Sequence, residues 1–110
     1  MVRVELCKDR NDVIKSFRVE GHTGYADHGQ DIICAGISAI TQTALLGLLH
    51  YLKKKPVYQR EDGLLTCTLE RELSLDDALK AQTILGTMEM GLREIEFQYH
   101  DFIEIRIRRC

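Results

Sequence analysis

After Asp31, the residues Ile33, Ile37, Ile40, Ala44, Leu48 and Leu52 recur at the spacing of one helical face. A helix this apolar must be buried, so the remainder of the chain has to supply a layer that faces it. Asp31 is placed to cap the helix at Ile32, and Lys53, Lys54, Lys55 and Pro56 end it. The three lysines also complement the negative end of the helix dipole, which explains them as a stop signal. Ile32 to Leu52 is the richest apolar run in the chain, yet it contains Gln42, His50 and several hydroxyls. It is therefore read as a core helix and not as a membrane span.

The facing layer is written as strands. Val2, Val4 and Leu6 alternate with Arg3, Glu5 and Cys7, and after a polar turn Val13, Phe17 and Val19 share a face. Val57 to Arg60 and Leu64 to Glu70 flank Asp62-Gly63, a pair suited to a tight hairpin. Ser74, with Asp77 three residues on, opens a second helix whose face is Leu75, Ala78, Leu85, Met88, Leu92 and Ile95. Phe102 to Arg108 closes the chain with alternating isoleucines. The expectation is one α+β domain over residues 1–110, in the order ββαββαβ. Its mostly antiparallel sheet of about five strands carries both helices on one face. Ile14 and Leu64 give the other face some apolar character, which suggests a homodimer that covers it.

The formal net charge of −2 gives no global basic footprint; only Arg106, Arg108 and Arg109 form a local one, so direct nucleic-acid binding is not expected. Met1 to Arg10 is charged and alternating and does not read as a signal peptide, which makes the cytosol the expected compartment. There Cys7, Cys34, Cys67 and Cys110, far apart and without paired spacing, are expected to remain thiols. No membrane partner, metal or cofactor is expected.

Between Gly21 and Asp31 the periodicity stops, leaving His22, Thr23, Gly24, Tyr25, Ala26, Asp27, His28, Gly29 and Gln30 as a polar, glycine-punctuated loop. If Asp31 caps the helix, Cys34 is its third residue, where unpaired N–H groups and the dipole favour a thiolate. The loop is long enough to bring His22 back as its base, and the same helix end could hold an oxyanion, with Gly36 keeping the approach uncrowded. Asp31 either caps the helix or orients His22. The residues alone also allow a buried inert cysteine with a surface histidine, and a metal held by His22, His28 and Cys34 is a further alternative whose spacing matches no tight zinc pattern.

Gly21-His22, followed by a glycine-bearing loop and then Gly29-Gln30-Asp31-Ile32-Ile33-Cys34-Ala35-Gly36-Ile37-Ser38-Ala39-Ile40, resembles the ribosomal-processing cysteine proteases of the Prp family. The resemblance extends over the whole chain. It implies a catalytic dyad of His22 and Cys34, with Asp31 and Ser38 also matching the family pattern. It further implies homodimers that remove the N-terminal extension of the twenty-seventh large-subunit ribosomal protein, supporting ribosome assembly. The segment Thr23 to Gln30, including Gly24, His28 and Gly29, would then close over the peptide, with Tyr25 either touching it or anchoring its own loop. A non-catalytic ribosome-assembly module that binds the same peptide is the alternative, and a thiol hydrolase of small esters is a third reading.

Overall fold

The structure is a computed structural model that describes the backbone of residues 1–21 and 28–110 and the side chains of residues 1–21 and 32–110. Seven elements follow in the expected order: β1 (Val2–Lys8), β2 (Ile14–Glu20), α1 (His28–Tyr51), β3 (Val57–Glu61), β4 (Leu64–Thr68), α2 (Leu75–Gln98) and β5 (Ile103–Arg109). They form an α+β fold around one five-stranded sheet in the order β3-β4-β2-β1-β5. Each neighbouring pair is antiparallel except β1 and β5, which run parallel. A parallel neighbour needs a crossover, and α2 supplies it between β4 and β5.

One face of the sheet meets both helices. Val2, Val4, Leu6, Phe17, Val19, Leu65 and Ile103 point into a core completed by Ile37, Leu45, Leu48 and Leu52 of α1 and by Ala81, Leu85, Met88 and Leu92 of α2. Each large side chain buried there contributes about 1.5–3 kcal/mol of transfer free energy. This explains why α1 is so apolar. By length and composition Ile32–Tyr51 is long and apolar enough to cross a membrane, with a mean hydropathy of 1.9, contrary to the reading of its sequence. In the fold its apolar stripe faces the sheet and α2.

Several expected positions shift. Val13 precedes β2, and Ile14, assigned from sequence to the outer face, is buried in the core. The register between β1 and β2 slips between Cys7 and Lys8, so that Cys7 pairs with Ser16 but Lys8 pairs with Ile14. Such a bulge reverses the alternation and turns Ile14 inward. Leu75, expected on the buried face of α2, is 91% exposed, while Asp77 takes a buried place in the first turn. Ser74 caps α2 as expected, its hydroxyl accepting the N–H of Asp77 at 3.0 Å. At the end of α1 the Lys55 ammonium donates to the carbonyl of Leu52, in keeping with a C-terminal stop.

The outer face of the sheet is also unlike the expectation. Instead of an apolar area it presents paired charges: Arg108 with Glu5 at 3.0 Å, Arg106 and Arg3 with Glu104, and Arg18 with Glu20 at 3.1 Å. Cys7 lies on this side and is bonded to Cys110 (S–S 2.08 Å, Cα–Cα 5.8 Å), so these two are not the thiols expected from the sequence. The cause is topological: parallel pairing of β5 with β1 sets Arg109 beside Lys8 and carries the next residue to Cys7.

Candidate active site

The site is built around the passage from β2 into α1. β2 ends at Glu20, paired with Leu64 of β4, and Gly21 follows with φ +94°. A Cβ at Gly21 would lie 2.6 Å from the carbonyl oxygen of Met1. Both the backbone angle and the close approach require glycine here, and they fix where the chain leaves the sheet toward His22. His22, Thr23, Gly24 and Tyr25 lie outside the described residues.

α1 begins at His28, four residues earlier than the sequence suggested. His28 and Gly29 are therefore helical and not part of a loop, and Asp31 is the fourth residue of the helix and not its cap. Cys34 becomes the seventh residue, in the second turn. At that depth a backbone N–H bonds the carbonyl four residues back, and the end effect of the dipole has largely faded. The expected activation of Cys34 by unpaired N–H groups, and the oxyanion site they would form around it, are therefore not features of this helix.

Cys34 lies on the core-facing stripe of α1 and is only 2% exposed. Ser38, one turn further, is half-buried; its Oγ accepts from Nε2 of Gln42 at 3.1 Å. Thr41, buried beside them, donates its hydroxyl to the carbonyl of Ile37 at 2.9 Å. Gly36 does not serve the approach to Cys34. Two residues on, it is turned by about 200° to the other side of the helix, where an added Cβ would touch Cδ1 of Ile95 at 3.9 Å. Its place is the packing of α1 against α2. The structure thus brings Cys34, Ser38, Thr41 and Gln42 onto neighbouring turns and separates Gly36 from them.

Cys67 on β4 is the second buried cysteine outside the disulfide among the described residues. Burial pushes its thiol up to about 12, which leaves it protonated and unreactive near neutral pH. Reading the sequence did not single out Gly21 for its backbone or Gln42 for its bond to Ser38. The Gly-His pair was the available signal for the first; nothing in the spacing marked the second.

The sequence and the fold fall within a known class. The family model for cysteine protease Prp matches residues 1–104, and the chain belongs to that family of peptide hydrolases. Among curated proteins it is 26% identical, over 107 residues, to the ribosomal processing cysteine protease Prp of Bacillus subtilis, with 96% of each chain covered. The Prp of Staphylococcus aureus is 24% identical over 108 residues, 98% of this chain and 100% of that protein. In structure the chain is similar to a crystal structure of an essential ribosomal processing protease Prp from S. aureus in complex with a substrate peptide. That likeness has a TM-score of 0.87 at 23% identity and covers 98% of this chain and 100% of that one. A second S. aureus Prp structure, carrying a covalently linked product peptide, gives a TM-score of 0.82 at 24% identity, with 98% and 100% covered.

Proposed function

We propose that this protein is a cysteine endopeptidase that removes the N-terminal extension of the twenty-seventh large-subunit ribosomal protein, with Cys34 as nucleophile and His22 as base. The imidazole takes the thiol proton and the thiolate attacks the scissile carbonyl. The C–N bond breaks as the imidazolium returns the proton to the departing amine, and water then hydrolyses the thioester. Family membership and the setting of Cys34 support this reading: a half-buried polar turn at Ser38 and Gln42 adjoins an otherwise apolar stripe at the cysteine. Because Cys34 is nearly covered, substrate binding must expose its sulfur. Such processing is assigned to the cytosol, where ribosomal proteins are made.

The decisive experiment is incubation of the purified chain and its Cys34→Ala form with the extended ribosomal precursor, with products read by mass spectrometry. The wild type should release the extension and the variant should not. Equal cleavage by both would exclude Cys34 as nucleophile, and binding without any cleavage would favour the non-catalytic module. Replacing His22 with Ala should slow acylation by ~10²- to 10⁴-fold while leaving peptide binding largely intact.

The protein is further assigned a homodimer formed through its helices. The outer sheet face is charged, whereas α1 and α2 bound an apolar groove of about 630 Å³ lined by residues that include Ile40, Gly47, Ile84, Thr87 and Gly91. A second copy offers the same apolar surface in return. Sedimentation should show a dimer for the wild type and a monomer for Thr87→Arg; a wild-type monomer would overturn the assignment.

A further inference from the structure

The bond between Cys7 and Cys110 is open to solvent from one side. Cys7 is only 3% exposed, whereas Cys110 is exposed and lines an open depression of about 530 Å³ with Arg10, Asp12 and Arg109. The depression is remote from the passage between β2 and α1. Gly21 packs against Met1 and Val2, and from Val2 to Cys7 is about 17 Å along β1. Chemistry at Cys110 therefore involves neither Cys34 nor the chain that leads to His22.

The charges in the depression are unbalanced. Arg109 donates to the Asp12 carboxylate at 2.6 Å and to the carbonyl of Asp9 at 3.1 Å. Arg10 is exposed and makes no hydrogen bond or ion pair among the described residues. Two guanidinium groups against one carboxylate leave a net positive charge beside the accessible sulfur. Such a surface draws in an anion and offers Arg10 to a carboxylate. Access also decides which sulfur an incoming thiolate attacks, and only that of Cys110 can be reached.

We propose that Cys110 is a modification site for a small thiol bearing carboxylates, held by Arg10 and joined to the protein as a mixed disulfide. The incoming thiol gives its proton to water, and its sulfur attacks Sγ of Cys110. A new S–S bond forms there while the Cys7–Cys110 bond breaks, and Cys7 leaves with the electron pair and takes a proton from water. One disulfide replaces another, so no further oxidant or reductant is consumed. The N–H of Cys110 donates to the carbonyl of Lys8 at 3.0 Å, which keeps Cys110 on the sheet beside Cys7. Cys7 can then attack the mixed disulfide and expel the small thiol, restoring the original bond.

The test uses the full chain carrying Cys34→Ala, oxidised, and treated with glutathione, mercaptoethanol or cysteamine, which are anionic, neutral and cationic thiols. Acid quenching, alkylation and peptide mass spectrometry then locate the adduct. Glutathione should appear on Cys110, with Cys7 alkylated. Corrected for thiolate fraction, its rate should exceed that of mercaptoethanol, with cysteamine slowest. Arg10→Ala should slow glutathione by about 2- to 5-fold, the worth of one exposed ion pair, leave mercaptoethanol unchanged, and be rescued by Arg10→Lys. Cys7→Ser removes the resolving sulfur, so with glutathione disulfide it should accumulate the adduct on Cys110. An oxidised chain without the Cys7–Cys110 bond, an adduct on Cys7, equal corrected rates for the three thiols, or an Arg10→Ala effect shared by all of them would overturn the site.

Discussion

The side-chain amide of Gln82 on α2 is bonded to the backbone of Ile14 in both directions, its Oε1 accepting the Ile14 N–H at 2.9 Å and its Nε2 donating to the Ile14 carbonyl at 2.9 Å. Ile14 still pairs with Lys8 beyond the bulge, and Gln82 satisfies the N–H and the carbonyl of Ile14 from the helix side.

Gln82→Leu should therefore destabilise the fold by about 1–3 kcal/mol, since it strands a part-buried donor and acceptor together. Gln82→Glu keeps the acceptor but sets a carboxylate oxygen against the Ile14 carbonyl, and should also be less stable than the wild type. Urea melts with unchanged slopes would check both; a stability change for Gln82→Leu below about 0.5 kcal/mol, the lower limit for one hydrogen bond, would contradict the role.

Asp77 ties the two helices. Its carboxylate accepts the backbone N–H groups of Lys54 at 2.9 Å and Lys53 at 3.0 Å, just beyond the end of α1. The Lys54 bond and then the Lys53 bond hold its carboxyl below the ordinary 3.8, against the opposing effect of burial. A lowered native value means that the unfolded chain binds the proton first on acidification. The contribution is thus complete above the ordinary value and disappears as pH falls through the native one. Melting temperatures followed by circular dichroism from neutral pH to below 3.8 should fall more steeply for the wild type than for Asp77→Asn. Asp12 is also lowered, by Arg109 at 2.6 Å, but that pair is exposed and contributes little.

Thiol chemistry should separate the cysteines. With its thiol near 12, Cys67 holds about one thiolate in 10⁴ at pH 8 and should resist alkylation in the native state. An alkylating reagent should label Cys34 faster than Cys67, and a bound peptide, occupying the Cys34 sulfur, should slow the labelling of Cys34 alone. Equal rates at the two positions would count against an activated Cys34.

The bond between Cys7 and Cys110 joins residues 103 apart in sequence. Cys110→Ser should lower stability by about 2–4 kcal/mol under oxidising conditions. A reductant should bring the wild type to the level of the variant and leave the variant unchanged; a wild-type melting temperature indifferent to reductant would show that the bond contributes nothing in solution.

Gly21→Ala should impair folding and processing together. The positive φ alone costs about 1 kcal/mol for a residue with a side chain, and the contact with Met1 O at 2.6 Å must also be relieved by moving the chain that leads to His22. Processing by a stably folded Gly21→Ala protein at the wild-type rate would show that the exit from β2 does not position the histidine.

The order of elements, the hairpin at Asp62-Gly63 and the cap at Ser74 were legible in the sequence because each depends on periodicity or on neighbours a few residues apart. So was the Gly-His to Cys-Ala-Gly pattern that marks the family, and with it the candidate nucleophile. The start of α1 was not, because Asp31 is as good a cap as a mid-turn residue and only the extent of backbone helix tells them apart. Nor was the inward turn of Ile14, which requires the bulge and Gln82 from 68 residues away, or the pairing of Cys7 with Cys110, which requires β5 to lie parallel to β1. Local patterning specifies which segments are helices and strands, whereas register, disulfide partners and the walls of a cleft depend on groups that meet only when distant segments pack.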